Sequence, residues 1–426
     1  MIDLPEMIAQ GKIAAPDLIC GGTPCQAFSL AGWKNGLNDA RGNLTLRFVD
    51  IVDSNDAVRL ASGKERCKVF WENVEGVLSD KTNAFGCLVS SLAGLPDVLS
   101  IPGGKWPNAG LICGVTRNVA WRVLDAKYFG LPQQRRRLYV VAGGKDFHPE
   151  NVLFELHQNE FPDYPSYPLL FTKDGHEFEV FREYTDCLYS AYGTKWNGNA
   201  AAYNGSLFVV QDKRIRRLSP LEAERLMGFP DNYTYLPEAK RTNRYQGIGN
   251  SWAVPVIEWI GKRLIQEKSP DFILDGKETV LKSRAIAIPE AGVFYNFGKD
   301  IVSLDNGLSL NCTAIPEKCV FSSLESIVSA DAPEDIYISP VACYGIVRRK
   351  MERKLKINPR LEKVLLSIAA EMSKEEIEKK SRIQHRGRFS TSNSEEVVPL
   401  KAEEDSSESL RTFPSSPSNR DLAALL

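Results

Sequence analysis

One cysteine stands in a sequence setting that favours a reactive thiol over a packed one. The apolar run Asp17 to Cys20 predicts a strand that ends in a glycine pair, after which Pro24 introduces Cys25. Open α/β sheets place their chemistry at the carboxyl ends of strands, so a thiol here can meet a substrate. The alternative interpretation of Cys25 is a small packed core residue, which needs neither the glycines nor the proline.

Two further sets of side chains complete a possible reactive centre. Glu72 ends a second apolar strand predicted over Cys67 to Trp71, and Arg135 and Arg137 open a third strand. We expect burial beside aromatic residues to raise the pKa of Glu72 and to keep its carboxyl group protonated near neutrality. The arginines would orient this carboxyl group or the substrate and lower the thiol pKa. The alternatives are a solvent-exposed carboxylate at a strand end and a solvated basic turn.

A thiol, a protonated carboxyl group and a cation are together what substitution at C5 of cytosine requires. C5 is a poor nucleophile until a thiolate adds at C6 and converts C5 into an enamine carbon. A proton donor at N3 makes that addition easier. The pattern therefore predicts Cys25 as the nucleophile and Glu72 as the acid.

The order of these residues resembles the DNA cytosine-5 methyltransferases of bacterial restriction-modification systems and phages. Five motifs covering residues 17–266 match that family in its own order. They are Pro24-Cys25-Gln26, Glu72-Asn73-Val74, the Gln-x-Arg-x-Arg pattern from Gln133 to Arg137, the run from Arg217 to Pro230, and Gln246 to Ser251. The resemblance implies a target cytosine that is flipped out of duplex DNA.

The resemblance also implies site residues, with S-adenosylmethionine as cofactor and double-stranded DNA as partner. Its catalytic residues would be Cys25, Glu72, Arg135 and Arg137. The cofactor pocket would be lined by Pro24, Leu44, Asn250 and Ser251. DNA or the flipped base would be touched by Gln26, Ser29, Arg41 and Asn73, with the segment 193–196 near the DNA.

The fold implied is α/β, with a Rossmann-like class I methyltransferase sheet, a small target recognition domain and a C-terminal extension. Strands that alternate with helices predict a mostly parallel sheet. The predicted boundaries are residues 1–144 and 214–268 for the catalytic domain, 145–213 for the recognition domain, 269–380 for the extension and 381–426 for a disordered tail. Local patterns predict helices over 44–60, 83–95 and 254–266, a loop over 96–114, a hairpin turn at Asp305-Asn306-Gly307 and a basic helical stretch over 341–380.

One part of the family pattern has no match ahead of Asp17. Family members begin with a strand and a Phe-x-Gly-x-Gly turn that holds the cofactor, so the implied sheet is incomplete and the strand over 17–20 lies on an exposed edge. We expect weak cofactor binding by this chain alone, with a late start, a decayed gene or a partner chain supplying the missing half as explanations. The alternative functions are a catalytically inactive or split-gene DNA-binding remnant and an RNA cytosine methyltransferase.

Composition bears on how the chain could bind DNA, on metal binding and on its place in the cell. The 426 residues carry a net charge of −1, so DNA affinity must come from local basic runs such as Lys213 to Arg217. The basic stretch from Arg348 to Lys356 is interpreted as a solvated face. Nine cysteines without a Cys-x-x-Cys pair and four histidines give no support for a metal site. Without a secretory or membrane-spanning segment, we expect a cytoplasmic protein that is monomeric unless a second chain completes it.

Overall fold

The structure, a computed structural model, describes residues 3–23, 43–101, 103–192, 203–265, 279–304 and 307–380. The predictions for Pro24, Cys25, Gln26, Ser29 and Arg41 lie outside the described residues. The same holds for the predictions on 193–196 and on the tail 381–426.

The described residues form helices and strands with the following bounds. The helices are α1 Leu4–Ala9, α2 Asn43–Ala61, α3 Ala84–Ala93, α4 Glu150–Leu153, α5 Pro220–Met227, α6 Arg241–Asn250, α7 Val254–Ile265, α8 Thr279–Arg284, α9 Pro340–Glu352, α10 Pro359–Ala369 and α11 Lys374–Lys380. The strands are β1 Leu18–Gly21, β2 Lys68–Val74, β3 Ala109–Cys113, β4 Asn118–Asp125, β5 Arg136–Gly143, β6 Glu155–His157, β7 Leu170–Lys173, β8 His176–Val180, β9 Phe208–Gln211, β10 Arg214–Arg217, β11 Ala285–Ile288, β12 Gly292–Gly298, β13 Ile301–Ser303 and β14 Ser309–Asn311.

The main sheet has the strand order β1-β2-β5-β4-β3-β12-β11 among the described residues. Alternate side chains of each strand point to opposite faces, so Val69 and Trp71 pack beneath α2 and α3 while Phe70 packs beneath α7. Helices on both faces of a sheet confirm the α/β fold class. The alternation of side chains along β2 places Glu72 on the face that α7 covers, together with Phe70.

The prediction of a mostly parallel sheet is wrong. Among the described strands, β1 and β2 pair in parallel, and every other neighbouring pair of the main sheet is antiparallel. The physical reason is connection length: four residues join β3 to β4, and ten join β4 to β5. A parallel pair needs a crossover of about a dozen residues or more, whereas a short turn forces antiparallel pairing. The predicted loop over 96–114 is likewise wrong at its end, because β3 lies there between β4 and β12.

A second sheet, with the order β10-β9-β8-β7, is covered by helices on both faces. Helices α5 and α6 contribute Leu226 and Ile248 to one core, and α9 and α10 contribute Ile346 and Leu361 to the other. We call this unit the recognition sheet, after the segment in which the sequence predicts target recognition. The helices α9, α10 and α11 occupy the predicted basic helical stretch, and the helices predicted over 44–60, 83–95 and 254–266 are confirmed as α2, α3 and α7.

The described residues between 285 and 311 are built into the rest of the described fold. Strands β11 and β12 join the main sheet, and β13 and β14 pair in antiparallel fashion and continue to β6. The pairing of β13 with β14 confirms the predicted hairpin, in which Gly307 takes a positive φ of 82°. Asp305 and Asn306 themselves lie outside the described residues. The predicted domain boundaries stay predictions.

Candidate active site

Glu72 lies near the carboxyl end of β2, where β1 and β5 flank it. β1 ends beside Trp71, and Glu72 itself is opposite Tyr139 of β5. Its side chain is 12% exposed. A Cβ atom added at Gly22 would come within 3.4 Å of the Glu72 Oε2 atom and 3.3 Å of its carbonyl oxygen. The second glycine of the pair therefore gives the carboxyl group the space it occupies.

The carboxyl group of Glu72 faces Arg137, which lies near the start of β5. The Arg137 Nε atom lies 3.2 Å from Glu72 Oε1. Burial raises the pKa of Glu72, and this effect outweighs the positive charges of Arg137 and Arg135 and the hydrogen bond from the Trp252 side chain, all of which lower it. Glu72 thus has the environment of an acid that keeps its proton to a higher pH than an exposed glutamate. The direction of this pKa change is the one expected from the sequence, and protonation near neutrality stays a prediction.

Arg135 joins the recognition segment to the end of α6. Its side chain is buried, and Nη2 donates hydrogen bonds to the carbonyl oxygens of Ser251 (2.7 Å) and Gly249 (3.2 Å). Nη1 donates to the carbonyl oxygen of Leu188 at 3.1 Å. The side chain of Arg135 thus binds backbone carbonyl groups and the thiol of Cys187, so its position fits a residue that holds the walls of the site together.

Cys187 is a site residue that the sequence analysis did not find. Its Sγ atom accepts from Arg135 Nη1 at 3.1 Å and from Arg137 Nη2 at 3.3 Å, so one sulfur joins both arginines. No motif marks this cysteine, because it lies 50 residues after Arg137 and meets it only through the tertiary fold. Trp252 was also missed, although it directly follows Ser251 in the last matched motif.

The chain that leads to Cys25 is anchored at Thr23. Asn73 Nδ2 donates to the Thr23 carbonyl oxygen at 2.8 Å, and Trp71 Nε1 donates to Thr23 Oγ1 at 3.1 Å. The hydroxyl groups of Thr23 and Thr45 are 2.7 Å apart. Thr23 precedes Cys25 by two positions, so the strand end that introduces the predicted nucleophile is fixed to the strand that carries Glu72.

These groups open into one cavity of about 1230 Å³. Six of the predicted site residues line it, namely Glu72, Asn73, Arg135, Arg137, Asn250 and Ser251. Leu44, at the start of α2, is half-buried and is not among the described residues of this lining. A buried acid, an arginine paired with it and an open cavity at the ends of adjacent strands can bind a heterocyclic base and donate a proton to it.

The described residues contain neither a metal-binding cluster nor a membrane-spanning helix. No group of three or more His, Cys, Asp or Glu side chains there is placed to hold a metal ion. None of the helices described has the length and the apolar character needed to cross a bilayer.

The family model for C-5 cytosine-specific DNA methylases matches residues 3–97, 113–204 and 172–266, which is more than half of the chain. The chain therefore belongs to the C-5 cytosine-specific DNA methylase family. The family resemblance stated from the sequence motifs is confirmed.

The chain is also similar to individual methyltransferases. The chain is 30% identical to the DNA N-6-adenine-methyltransferase of Escherichia phage P1, over 62% of this chain and 54% of that protein. It is 28% identical to the type II methyltransferase M.SsoII of Shigella sonnei over 61% and 66%, and 26% identical to M.HhaI of Haemophilus parahaemolyticus over 57% and 74%. It thus spans about half of the phage protein and two thirds of M.SsoII.

Among solved structures, DNMT2 of Spodoptera frugiperda matches 62% of this chain and 82% of its own, with 19% identity and a TM-score of 0.36. The Entamoeba histolytica methyltransferase EhMeth matches 62% and 83%, with 16% identity and a TM-score of 0.36.

Proposed function

We propose that this chain transfers a methyl group from S-adenosylmethionine to C5 of cytosine in a specific duplex DNA sequence. The observation that carries the proposal is the buried Glu72 carboxyl group, which is paired with Arg137 and faces a cavity that is also lined by Thr23, two positions before Cys25 in the sequence. A carboxyl group that stays protonated can donate to N3 of a flipped cytosine. Arg137 then stabilises the carboxylate that remains after donation.

The proposed chemistry assigns each step to a residue of this chain. The Cys25 thiolate forms a bond to C6, the C5–C6 double bond supplies the electron pair that C5 then carries, and N3 takes the proton from Glu72. C5 uses that electron pair to form a bond to the methyl group, while the bond between this methyl group and the donor sulfonium sulfur breaks and its electron pair stays on the sulfur of the leaving thioether. A base then removes the C5 proton, the C5–C6 double bond re-forms, Cys25 leaves as thiolate, and N3 returns its proton to Glu72.

S-adenosylmethionine supplies an electrophilic methyl group when it is bound. The cavity exceeds the roughly 300–1,000 Å³ typical of small-molecule sites, so it has room for a nucleoside-sized ligand beside a base. Asn250 offers an exposed polar side chain at its rim, and Val254 and Ile257 offer apolar surface. These residues fit such a ligand, with Asn250 and Ser251 as the proposed contacts.

We further propose that a second chain completes the cofactor site along β1. Within the described residues, β1 is an edge strand with β2 as its neighbour, and Leu18 is 39% exposed. An unpaired edge of this kind accepts a further strand. Calorimetry on the purified chain tests the proposal, since micromolar binding of S-adenosylmethionine without any added polypeptide would contradict it.

The methylation proposal is tested by the product. DNA from cells that express the chain, with and without a polypeptide carrying the expected cofactor strands, is digested to nucleosides and analysed by mass spectrometry. We expect 5-methylcytosine, lost in Cys25→Ser and in Glu72→Gln. N6-methyladenine alone would contradict the proposal, because attack by an exocyclic amino group needs no thiol adduct. DNA binding without any methylation would favour the alternative of an inactive DNA-binding remnant.

A further inference from the structure

Cationic side chains are concentrated around the turn between α9 and α10. Residues 348–363, here called the basic segment, hold eight Lys and Arg residues and two carboxylates, in a chain of net charge −1. Three of these cations have carboxylate partners: Arg348 pairs with Glu352, Lys350 with Glu362 and Arg360 with Glu179. Among the described residues, no carboxylate lies at ion-pair distance from the other five, which are Arg349, Arg353, Lys354, Lys356 and Lys363.

The cations of the basic segment also crowd one another. Arg349 is half-buried, and its Nε atom is buried without a hydrogen-bond partner within the described part of the chain. Burial lowers the pKa of Arg349. Tyr203 opposes this effect, and the positive charges of Arg348 and Arg353 lower the pKa further. Like charges held this close raise the local positive potential and favour the approach of an anion.

Lys354 is a cation at a position where the backbone conformation favours glycine. The N–H group of Leu355 donates to the Lys350 carbonyl oxygen, and the N–H group of Lys354 donates to the Met351 carbonyl oxygen. These two bonds end α9 in a Schellman motif. Lys354 takes the left-handed position of this motif, with φ of 52°. Glycine is the usual residue there because it has no Cβ atom to strain.

A series of hydrogen bonds runs from the basic segment through the recognition domain to the candidate active site. Asn358 N–H donates to the Tyr203 carbonyl oxygen at 2.8 Å, and Asn204 Nδ2 donates to Asp186 at 2.7 Å. Cys187, the next residue, binds Arg135 and Arg137 at the cavity. Short contacts therefore connect the basic segment to the site where Glu72 lies.

We propose that the basic segment, which the sequence analysis interpreted as a solvated face over Arg348 to Lys356, binds the phosphate backbone of duplex DNA flanking the target site. This inference rests on the proposed function, because it takes the duplex at the cavity as its starting point. Phosphates supply the counter-charges that Arg353, Lys354 and Lys356 lack within the described residues. The contact is with the backbone, so it adds affinity and orientation and carries no base sequence information. The helices α9 and α10 then serve DNA binding in addition to covering the recognition sheet.

The test is the salt dependence of DNA binding by the full chain. A fluorescent duplex of about 40 base pairs and mixed sequence is titrated by anisotropy between about 50 and 200 mM salt. For the triple variant Arg353→Gln, Lys354→Gln, Lys356→Gln, we expect the slope of log affinity against log salt to fall by roughly 2 to 3, at about 0.9 per lost phosphate contact. The affinity itself should fall by about tenfold or more.

The matched control is Lys64→Gln, an exposed lysine in the turn before β2, at the other end of that strand from Glu72. It should bind as the wild type does. Lys354→Gly separates charge from folding, because it removes one cation while it relieves the left-handed strain. We expect its Tm to equal or exceed that of the wild type and its salt slope to fall by about one.

Two outcomes would overturn the inference, and they differ in what else they affect. If the wild type binds DNA with a steep salt slope and the triple variant keeps that slope and affinity, the basic segment is no phosphate contact, and the proposed function stands. If the wild type binds no duplex at the lowest salt, the proposed function fails and this inference fails with it.

Discussion

At the scale of single residues, the protonation of Glu72 is the property on which the proposed reaction depends. Glu72→Gln keeps the size of the side chain but cannot transfer a proton, so we expect methyl transfer to fall by about 10²- to 10⁴-fold, the usual contribution of an acid–base residue. Single-turnover transfer of a labelled methyl group measures it. A variant with more than half of the wild-type rate would remove Glu72 from the acid role.

The pH dependence of stability follows from the same carboxyl group. Its pKa is raised in the folded state, so its contribution to the free energy of unfolding is fully present below the pKa of the unfolded chain. That contribution is lost as the pH rises through the folded-state pKa. Urea unfolding from pH 4 to pH 8 (about the range in which proteins are most stable) should show Glu72→Gln gaining stability relative to the wild type as the pH rises. A difference that is independent of pH would contradict the raised pKa.

Cys187 allows a second test at this scale, since its sulfur accepts from both arginines. Cys187→Ala removes that acceptor, and a hydrogen bond to a charged group is worth about 1.5–3 kcal/mol. We expect a loss of that order in the free energy of unfolding and a fall in kcat with KM for DNA little changed, because Arg137 loses the contact that aligns it with Glu72. Cys187→Ser keeps an acceptor and should recover most of the rate. Equal rates for the two variants would contradict a positioning role.

At the scale of elements, α5 is fixed by polar contacts at its start. Ser219 and Glu222 form a capping box, and Glu222 accepts from both Nη atoms of Arg216 at 2.8 Å, with both side chains fully buried. Ser219→Ala should cost about 1 kcal/mol. Glu222→Ala leaves the Arg216 charge buried and unpaired, so it should cost about 3–5 kcal/mol. Urea unfolding measures both, with the exposed Glu238→Ala as control; equal losses for the two variants would contradict the assignment.

Elements also show how far the sequence could predict the fold. The periodic patterns of α2 and α7 are local properties, and each predicted its helix correctly. Local patterns do not show which strands pair in the folded chain. They therefore could not predict the antiparallel direction of β3 and β4, or that β11 and β12 join the main sheet. The same distinction holds for the site. Glu72 and Arg137 stand in motifs that the sequence shows, whereas Cys187 contacts Arg137 only through the tertiary fold.

At the scale of the whole molecule, the recognition sheet depends on helices that come more than a hundred residues later in the chain. Leu361 of α10 is fully buried in the core that includes Val210 and Ile215 of the sheet. Leu361→Ala should therefore cost about 2–5 kcal/mol, the range for deleting a buried leucine side chain. Because the main sheet has separate cores on its own faces, this loss should fall on the recognition sheet.

Hydrogen exchange followed by mass spectrometry measures which elements lose stability in the Leu361→Ala variant. In Leu361→Ala we expect faster exchange in β8, β9 and β10 and in α9, with β4 and β5 of the main sheet protected as in the wild type. The matched control is Leu88→Ala in α3, which is equally buried but belongs to the main-sheet core, and it should reverse the pattern. Uniform loss of protection across both sheets in either variant would show that the two cores unfold as one unit. DNA affinity should fall with the recognition sheet, because the basic segment is held in place by the same helices.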